Sequence, residues 1–457
     1  MRQLGASRDH VIDRKEERRV WAEFEKSLIR KSAGRLKSSF VAKSVAIYVV
    51  LAVALFAAGC GFRTLRKDIE QVAEQAVLEG HARVRSPEVN PIVIVVYNVS
   101  TKQIADLFLL PRSGPFFFVL PAGKYQLAAF EDPNRDLSYE PGEEPAVAAT
   151  ELVLQAGERR TGLDLMIDPR STARIPFAVK AFSLDRRGID QFPALQLGTI
   201  ANIDDPRFSD ENGKLGLWNP LQFLFDVGAG IYFLEEYDPH KIPVLFVHGA
   251  VGHPGDWKHL VSSLDRSRFQ PWLAYYPTAP HLDQLGRGLL RAMAALQVKY
   301  GFSRLILVAH SMGGLVMRAA LNYAIENAST TRVVYVPAFV SISSPWNGHS
   351  GAAKGVKHSP VVAPSWEDMA PGSSFLTRLS QTALAPECEY SLFFSYRGGG
   401  GEANDGTVTV SSELAMPVQR QAVRVMGFDE SHTSILESRE VAMQLNAILA
   451  RALIAKH

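Results

Sequence analysis

Residues 305–314 read LILVAHSMGG, and this stretch decides the fold. A short apolar run is followed by small residues, and a segment with helical spacing continues from there. The pattern predicts a buried strand that turns sharply at Ser311 into a helix over about 312–326. Alanine at 309 and glycine at 313 favour such a turn, because larger side chains would collide there. The N-terminal amides of the helix are then expected to point towards Ser311.

The same alternation continues on both sides of this stretch. From Lys241 to the C-terminus, apolar runs of four to eight residues alternate with amphipathic helical segments. This pattern predicts βαβ units and a doubly wound, mostly parallel sheet that is covered on both faces. We therefore assign residues 241–457 to one α/β domain.

Two downstream loops carry the side chains that a nucleophilic serine needs. Serine is a weak nucleophile unless a base takes its proton, and that base needs an orienting acid. The strand at 391–396 leads to Asp405, and the strand at 422–428 leads to His432. We predict Ser311 as nucleophile, Asp405 as acid and His432 as base. The rival acids are Asp429, Glu430, Glu367 and Asp368.

An oxyanion formed during acyl transfer needs two backbone N–H donors. One is expected from Met312, directly after Ser311. The other is expected from Ala250, in the HGAVG loop that follows the strand at Pro243–Val247. The glycines of this loop allow the backbone to approach a reacting carbonyl closely. The residues expected to support the loops are His248, Gly249, Gly252, His310 and Gly313.

These motifs resemble the α/β-hydrolase superfamily, and most closely its bacterial lipases and esterases. AHSMGG at 309–314 resembles the serine motif of those lipases, with Ala309 where the general pattern has glycine. The loop around His432 is similar to their histidine loop. The resemblance implies a carboxylic ester hydrolase that works through an acyl-enzyme and requires no cofactor.

Two other functions stay open at this stage. An acyltransferase would use the same three residues and replace water by an acceptor alcohol. A non-catalytic binding or scaffold protein of the cell envelope would be expected to have lost one of them. All three remain in this sequence, which favours an enzyme.

The segment 344–379 lies between the predicted sixth strand and Asp405, where insertions often form a cap over the site. Its SPW and PSW sequences are similar to those of hydrolases that resemble glycolipid inositol deacylases. This resemblance implies acyl esters of lipids as the substrate class.

The sequence gives little support for a metal site or for a catalytic cysteine. His248, His253 and His259 are spaced by five and six residues, which does not place them on one helix face. We expect no metal. Cys388 is expected to be a structural thiol, since no histidine lies beside it in sequence.

An apolar run lies near the N-terminus. Val45–Phe62 contains no charged residue and follows five lysines and arginines between 30 and 43. This pattern predicts a membrane segment whose N-terminal side faces the cytoplasm. One alternative is an uncleaved anchor; the other is a lipoprotein signal peptide, because Ala57-Ala58-Gly59-Cys60 resembles a bacterial lipobox. Both place the remainder of the chain outside the cytoplasm in a bacterial envelope, tethered to a membrane.

Charge is distributed unevenly along the chain. Residues 1–44 contain 12 lysines and arginines against 6 acidic residues, whereas residues 45–457 contain 37 against 41. The body of the protein is thus slightly acidic, although the whole chain has a formal charge of +2. An acidic body argues against nucleic acid as a partner. A membrane and an ester or lipid substrate are the partners expected.

Four segments precede the α/β domain. Residues 1–62 form the basic leader with its apolar run, and 63–87 have the spacing of a helical spacer. Short strand-like runs with turns between them predict a β-sandwich-like domain over 88–170. Residues 171–240 are expected to be a linker that packs onto the α/β domain.

Overall fold

The computed structural model describes residues 61–85, 88–139, 146–168, 170, 175–179, 195–327 and 335–453. Residues 45–60 of the apolar run, with the predicted lipidation site Cys60, lie outside these ranges. Within the described ranges, no helix combines the length and the apolar character needed to cross a membrane.

An eight-stranded sheet forms the C-terminal part of the chain. Its order is β16-β15-β14-β13-β11-β12-β10-β9, and every neighbouring pair is parallel except β10 with β12. The inner strands are apolar on both sides, which fits a sheet covered on both faces. The bounds are β9 Gln196–Ile200, β10 Gly230–Phe233, β11 Ile242–Val247, β12 Phe269–Tyr275, β13 Ile306–His310, β14 Ala338–Ile342, β15 Glu389–Ser395 and β16 Arg424–Phe428.

This sheet begins earlier than the sequence predicts. β9 and β10 lie in the segment 171–240, which we expected to be a linker that packs onto the α/β domain, and they pair within the large sheet. The domain boundary at 241 stays a prediction. The two strands contain five and four residues. Runs this short carry too little periodicity to distinguish a strand from a loop in sequence.

Helices cover both faces of the sheet. A helix over residues 61–73 is α1, and the others follow from residue 210 onwards. α5 and α6 bury their apolar sides in one cluster, and α4 and α12 contribute to the cluster on the opposite face. The bounds are α2 Asp210–Trp218, α3 Pro220–Asp226, α4 Lys258–Ser262, α5 Leu282–Tyr300, α6 Met312–Glu326, α7 Ser350–His358, α8 Pro364–Met369, α9 Ser374–Leu379, α10 Val410–Glu413, α11 Met416–Gln419 and α12 Arg439–Ala452, with 3-10 turns at Pro254–Trp257 and Ser434–Glu437.

The segment 63–87, which we predicted to be a helical spacer, contains both helix and strand. α1 ends at residue 73, and Ala76–Val84 forms β1, with alternating buried and half-buried side chains along most of its length. The side chains on the buried side include the small Ala76 and Ala82. Such small residues weaken the two-residue alternation that identifies a strand, so a helix was the better match in sequence.

Two four-stranded sheets lie between α1 and the large sheet in sequence. One has the order β4-β1-β7 with β8 also paired to β1, and the other has the order β3-β2-β5-β6. Residues of both sheets form one buried cluster. An independent β-sandwich domain over 88–170 stays a prediction, and β1 lies before its expected boundary. The bounds are β2 Ile92–Asn98, β3 Gln103–Leu110, β4 Gly114–Leu120, β5 Gly123–Glu131, β6 Ala146–Leu154, β7 Arg159–Arg160 and β8 Leu165–Ile167.

Ion pairs join these smaller sheets to α5. The guanidinium of Arg291 donates to both carboxylate oxygens of Asp106 over 3.0 and 2.7 Å, and also to the carbonyl of Leu107. One turn earlier, Arg287 pairs with Glu79 on β1. Residues 61–457 form one compact unit, to which these ion pairs contribute.

Candidate active site

Ser311 occupies a strained turn between β13 and α6. Its φ is +53°, a left-handed conformation that is unusual for a serine. The turn is tightly packed, because a Cβ on Gly313 would lie 2.5 Å from the carbonyl oxygens of Val247 and His248. Glycine is therefore required at 313. The strain places Ser311 at the N-terminus of α6, as the sequence predicts.

His432 lies beside Ser311. It belongs to the loop after β16, and its Nε2 is 2.9 Å from Oγ of Ser311. The His432 side chain is only 11% exposed. Oγ and Nε2 are thus within hydrogen-bonding distance, so the imidazole can accept the serine proton.

Asp405 completes this chain of contacts on the far side of the ring. Its Oδ2 is 2.6 Å from Nδ1 of His432. Its Oδ1 accepts from the N–H groups of Thr407 and Val408 over 2.9 and 2.7 Å. Burial opposes ionisation of Asp405, but the hydrogen bond and charge of His432, with these two amides, lower its pKa to about 2. Asp405 is therefore a carboxylate at neutral pH.

The rival acids have other partners or lie at the surface. Asp429 and Glu430 pair with Arg397 on the protein surface. Asp368 contacts His281, and Glu367 is exposed on α8. Of the acids considered in the sequence, Asp405 is the one in contact with His432.

The predicted oxyanion loop directly faces Ser311. A Cβ on Gly249 would lie 2.8 Å from the Cβ of Ser311, so only glycine fits there. Within the described part of the chain, neither the Ala250 nor the Met312 N–H donates a hydrogen bond. Both amides are thus unoccupied donors in the loops that flank Ser311. Gly252 is also close-packed, since an added Cβ would approach Asp256.

His248 holds this loop in place. Its ring stacks on Tyr276 with a centroid separation of 4.3 Å, and the Tyr276 hydroxyl donates to the His248 carbonyl. Nδ1 lies 2.8 Å from the Gly249 carbonyl and donates to it. Burial lowers the pKa of His248 to about 3, so the ring is neutral. Its contacts are those of a structural side chain.

His310 supports the His432 loop. Its Nε2 lies 2.8 Å from the His432 carbonyl, to which it donates. Burial, and then the neighbouring His432, lower the pKa of His310 to about 3. A neutral ring avoids a second positive charge beside His432 when that residue accepts a proton.

Three residues of the site were not identified from the sequence. Ser395 donates to Oδ2 of Asp405 over 2.9 Å, and its Oγ is 2.6 Å from that of Ser343. The backbone N–H of Ser395 donates to Glu413 over 3.1 Å. Ser343 and Ser395 lie at the ends of apolar strands, and this position is a sequence signal for a residue near the site. Glu413 had no comparable signal, because it lies in a short helical turn after a glycine-rich loop.

The three histidines considered for metal binding do not share a site. His248 packs on Tyr276, whereas His253 pairs with Asp210 and Asp256. Among the described residues, no group of three or more His, Cys, Asp or Glu side chains could hold a metal ion. Cys388 is buried in the hydrophobic core against one face of the large sheet.

The segment 344–379 folds into α7, α8 and α9. Trp366 is partly buried and packs against the hydrophobic core, whereas Val356 is 37% exposed. The segment thus divides its apolar side chains between a packed interior and the surface.

Comparisons with known proteins bear on the α/β part of the chain. Residues 244–433 match the family described as the alpha/beta hydrolase family. No curated protein matches the sequence.

Several solved structures are similar to it. Bacillus licheniformis lipase BlEst2 in its mature form has 18% identity and a TM-score of 0.38, covering 48% of this chain and 94% of its own. The product of Listeria innocua gene lin2722 has 18% identity and a TM-score of 0.35, covering 46% and 94%. Aspergillus fumigatus lipase B has 16% identity and a TM-score of 0.37, covering 48% and 55%.

The family match includes most of β11, all of β12–β16 and the loops that carry Ser311, Asp405 and His432. The matched segment supplies six of the eight strands of the mixed, mostly parallel sheet. Residues 244–433 therefore have an alpha/beta hydrolase fold.

Proposed function

We propose that the protein is a serine hydrolase that cleaves carboxylic esters. The observation that carries this proposal is the continuous chain of contacts from Ser311 through His432 to Asp405, with distances of 2.9 and 2.6 Å. A strained serine, a base within reach of its proton and an ionised acid are the parts that acyl transfer needs.

The reaction follows from the position of each group. Oγ of Ser311 attacks the acyl carbonyl while Nε2 of His432 accepts the serine proton. The amides of Met312 and Ala250 bind the oxyanion, and His432 then gives the proton to the leaving alcohol. Water, deprotonated by His432, attacks the acyl-enzyme and releases the acid. Asp405 orients the ring and stabilises its positive charge throughout.

The position of α1 supports a lipid of the tethering membrane as the substrate. Its described part runs from residue 61 to 73, and the apolar run of residues 45–60 precedes it in sequence. Phe62 contacts Trp218, which contacts Trp366 of the cap segment 344–379. The guanidinium of Arg66 donates to the Pro360 carbonyl over 3.2 Å. The N-terminal end of the described chain thus packs beside the cap segment.

A second contact holds α1 against α3, which adjoins the helix that packs on the oxyanion loop. The carboxylate of Asp68, 5% exposed, accepts from the N–H of Leu221 over 3.0 Å and fixes α1 against α3. The adjoining α2 is in close contact with the loop, since a Cβ on Gly213 would lie 2.2 Å from the Val251 carbonyl oxygen. The segment before α1 is the predicted membrane tether, so a lipid of that membrane is the substrate class that we propose. An uncleaved anchor and a lipidated Cys60 both fit this proposal.

The test uses the full chain in detergent and substitutes Ser311. We expect Ser311→Ala to lose labelling by a fluorophosphonate and to lower p-nitrophenyl ester hydrolysis by about 10³-fold or more. Ser262→Ala, an exposed serine on α4, is the matched control and should retain both. Full activity and labelling of Ser311→Ala would overturn the proposal.

Acyl-chain length is then tested with the wild-type protein. Activity that rises from acetate towards long-chain esters would support a lipid substrate. Activity confined to acetate and butyrate would contradict it and indicate an esterase for small substrates.

A further inference from the structure

Glu413 is a buried acid close to the site that the reaction above does not use. It ends α10, its side chain has no exposed surface, and its Oε2 accepts from the N–H of Ser395 over 3.1 Å. In the described part of the chain, Oε1 has no hydrogen-bond partner. Asp405 and Ser343 are the side chains beside this carboxyl group.

Two carboxyl groups in one buried pocket are not both ionised at neutral pH, because the charges repel and neither is well solvated. Asp405 is the acid that ionises, since two amides, a hydroxyl and His432 surround its oxygens and stabilise the negative charge. Burial, and then the charge of Asp405, raise the pKa of Glu413 to about 9. Glu413 is thus the acid that keeps its proton.

The hydroxyl groups between the two acids show what this proton does. Ser395 has one hydroxyl proton, which it donates to Asp405, so Ser343 must donate to Ser395 across their 2.6 Å contact. Both hydroxyl groups then donate in the direction of Asp405. An ionised Glu413 would compete for the Ser343 proton and reverse that order.

Other groups near the pocket do not supply a compensating charge. His349 contacts the Thr407 carbonyl through Nε2, and burial lowers the pKa of His349. His310, behind His432, is likewise neutral. The proton on Glu413 is therefore the means by which this pocket avoids a second negative charge.

We propose that Glu413 is a positioning residue that works as a neutral carboxylic acid. Because Glu413 is neutral, the Ser343 and Ser395 hydroxyls are free to donate towards Asp405. This donation holds the Asp405 carboxylate against His432. This inference rests on the proposed function, because it assigns a role to Asp405 in orienting the base.

Three variants of the full chain test it. Glu413→Gln keeps the size and stays neutral at every pH, so we expect the kcat that it has at pH 8 to persist at pH 10. Ser343→Ala breaks the hydroxyl chain and should lower kcat by about tenfold with KM unchanged. Glu402→Gln, an exposed glutamate whose carboxylate accepts from Ser411, is the matched control.

The pH profile separates positioning from a packing role. In wild type, kcat should fall as the pH rises through about 9, when Glu413 loses its proton. Glu413→Gln should lack this fall, whereas Glu402→Gln should retain it. The same alkaline fall in Glu413→Gln would overturn the inference, and so would an unchanged kcat in Ser343→Ala.

An NMR measurement that requires no ester hydrolysis tests this inference separately from the proposed function. The proton on Nδ1 of His432 gives a far-downfield NMR signal when it is held by Asp405. We expect this signal to persist in Glu413→Gln at pH 10 and to shift or broaden in wild type. If the protein hydrolyses no ester, the proposed function fails, yet the signal still tests Glu413. An identical signal in both proteins at pH 10 would overturn the inference.

Discussion

Asp405 and His432 are joined twice. Their side chains meet at 2.6 Å, and the backbone N–H of His432 donates to the Asp405 carbonyl over 2.9 Å. The loops after β15 and β16 are thus fixed to each other by a bond that does not depend on the carboxylate. The orientation of the His432 ring can therefore be tested by changing the Asp405 side chain without releasing the loop.

Asp405→Asn should lower kcat for ester hydrolysis by about 10³–10⁴-fold, because an amide neither stabilises the imidazolium nor fixes its tautomer. The backbone bond should keep the fold, which circular dichroism can verify. Asp429→Asn changes an exposed acid three residues from His432 and is the matched control. Equal activities of the two variants would show that Asp405 does not orient the base.

Gly249→Ala should inactivate the enzyme without unfolding it. The new Cβ would lie 2.8 Å from the Cβ and 3.3 Å from Oγ of Ser311, so the oxyanion loop or the serine must shift. We expect kcat to fall by about 10²-fold or more, since misplacing the reacting groups by about 1 Å has that effect.

Gly288→Ala is the control for this substitution. Gly288 lies within α5, and a Cβ there would meet no atom within 4 Å. Alanine should raise the free energy of unfolding by about 0.5–1 kcal/mol with activity unchanged. If Gly249→Ala retained wild-type kcat, the close approach of this loop to Ser311 would have no catalytic importance.

The sequence could predict the parts of the site that follow strand ends. Ser311, Asp405 and His432 each come after a clear apolar strand, and parallel strands bring such ends to one edge of the sheet. The structure brings these three residues together. The acid was the least determined of them, because the sequence offers four rivals and only the contact of Asp405 with His432 in the structure distinguishes it from them.

Other parts depend on tertiary contacts that no local pattern reveals. Glu413 reaches the site because α10 packs under the end of β15, more than 100 residues after Ser311 in sequence. β1 was missed because small side chains on its buried side weaken the strand pattern. β10 is only four residues long, which is too short for a recognisable strand pattern. It is a strand because it pairs with β12 in the sheet.

Loosening α1 should impair action on membranes more than action on soluble esters. Asp68→Ala removes the carboxylate that accepts from Leu221, and thereby a contact that holds α1 against α3. We expect hydrolysis of phospholipid in vesicles to fall by about fivefold or more, with p-nitrophenyl butyrate hydrolysis within about twofold of wild type.

Glu70→Ala lies on an exposed part of the same helix and is the matched control. Both proteins are compared in reconstituted vesicles at equal bound amounts. An equal loss on both substrates in Asp68→Ala would indicate a general structural effect, and no loss on vesicles would contradict the role of α1.

The contact between His281 and Asp368 should make stability depend on pH. Nδ1 of His281 is 3.2 Å from both oxygens of Asp368, which also accepts from the N–H of Leu282. The hydrogen bond with Asp368 raises the pKa of His281. Its stabilisation is thus fully present below the unfolded value of about 6.5 and is lost as the pH rises through the higher folded value.

Thermal unfolding between pH 5.5 and 8.5 measures this effect. Wild type should exceed His281→Gln in midpoint most strongly at low pH, and the difference should shrink as the pH rises. His358→Gln, at the exposed end of α7, is the control and should follow the wild-type curve. A difference that stayed constant across this range would exclude a contribution from protonated His281.

The Asp106–Arg291 pair should couple the smaller sheets to α5. The pair is bidentate and mostly shielded, with side-chain exposures of 24% and 18%. A double-mutant cycle of Asp106→Ala and Arg291→Ala in urea unfolding should give a coupling of about 1–3 kcal/mol. Arg291→Lys should recover only part of it, because lysine keeps the charge and loses the planar fork.

The exposed pair Asp265–Arg268 is the matched control for this cycle. Screening by water and salt limits such pairs to about 0–1 kcal/mol, so its coupling should be smaller. Equal couplings for the two pairs would mean that shielding by the smaller sheets does not strengthen the contact. In Arg291→Ala, a separate transition at lower urea concentration would show that the smaller sheets unfold once this contact is lost. Such a transition would agree with a larger coupling for Asp106–Arg291 than for Asp265–Arg268.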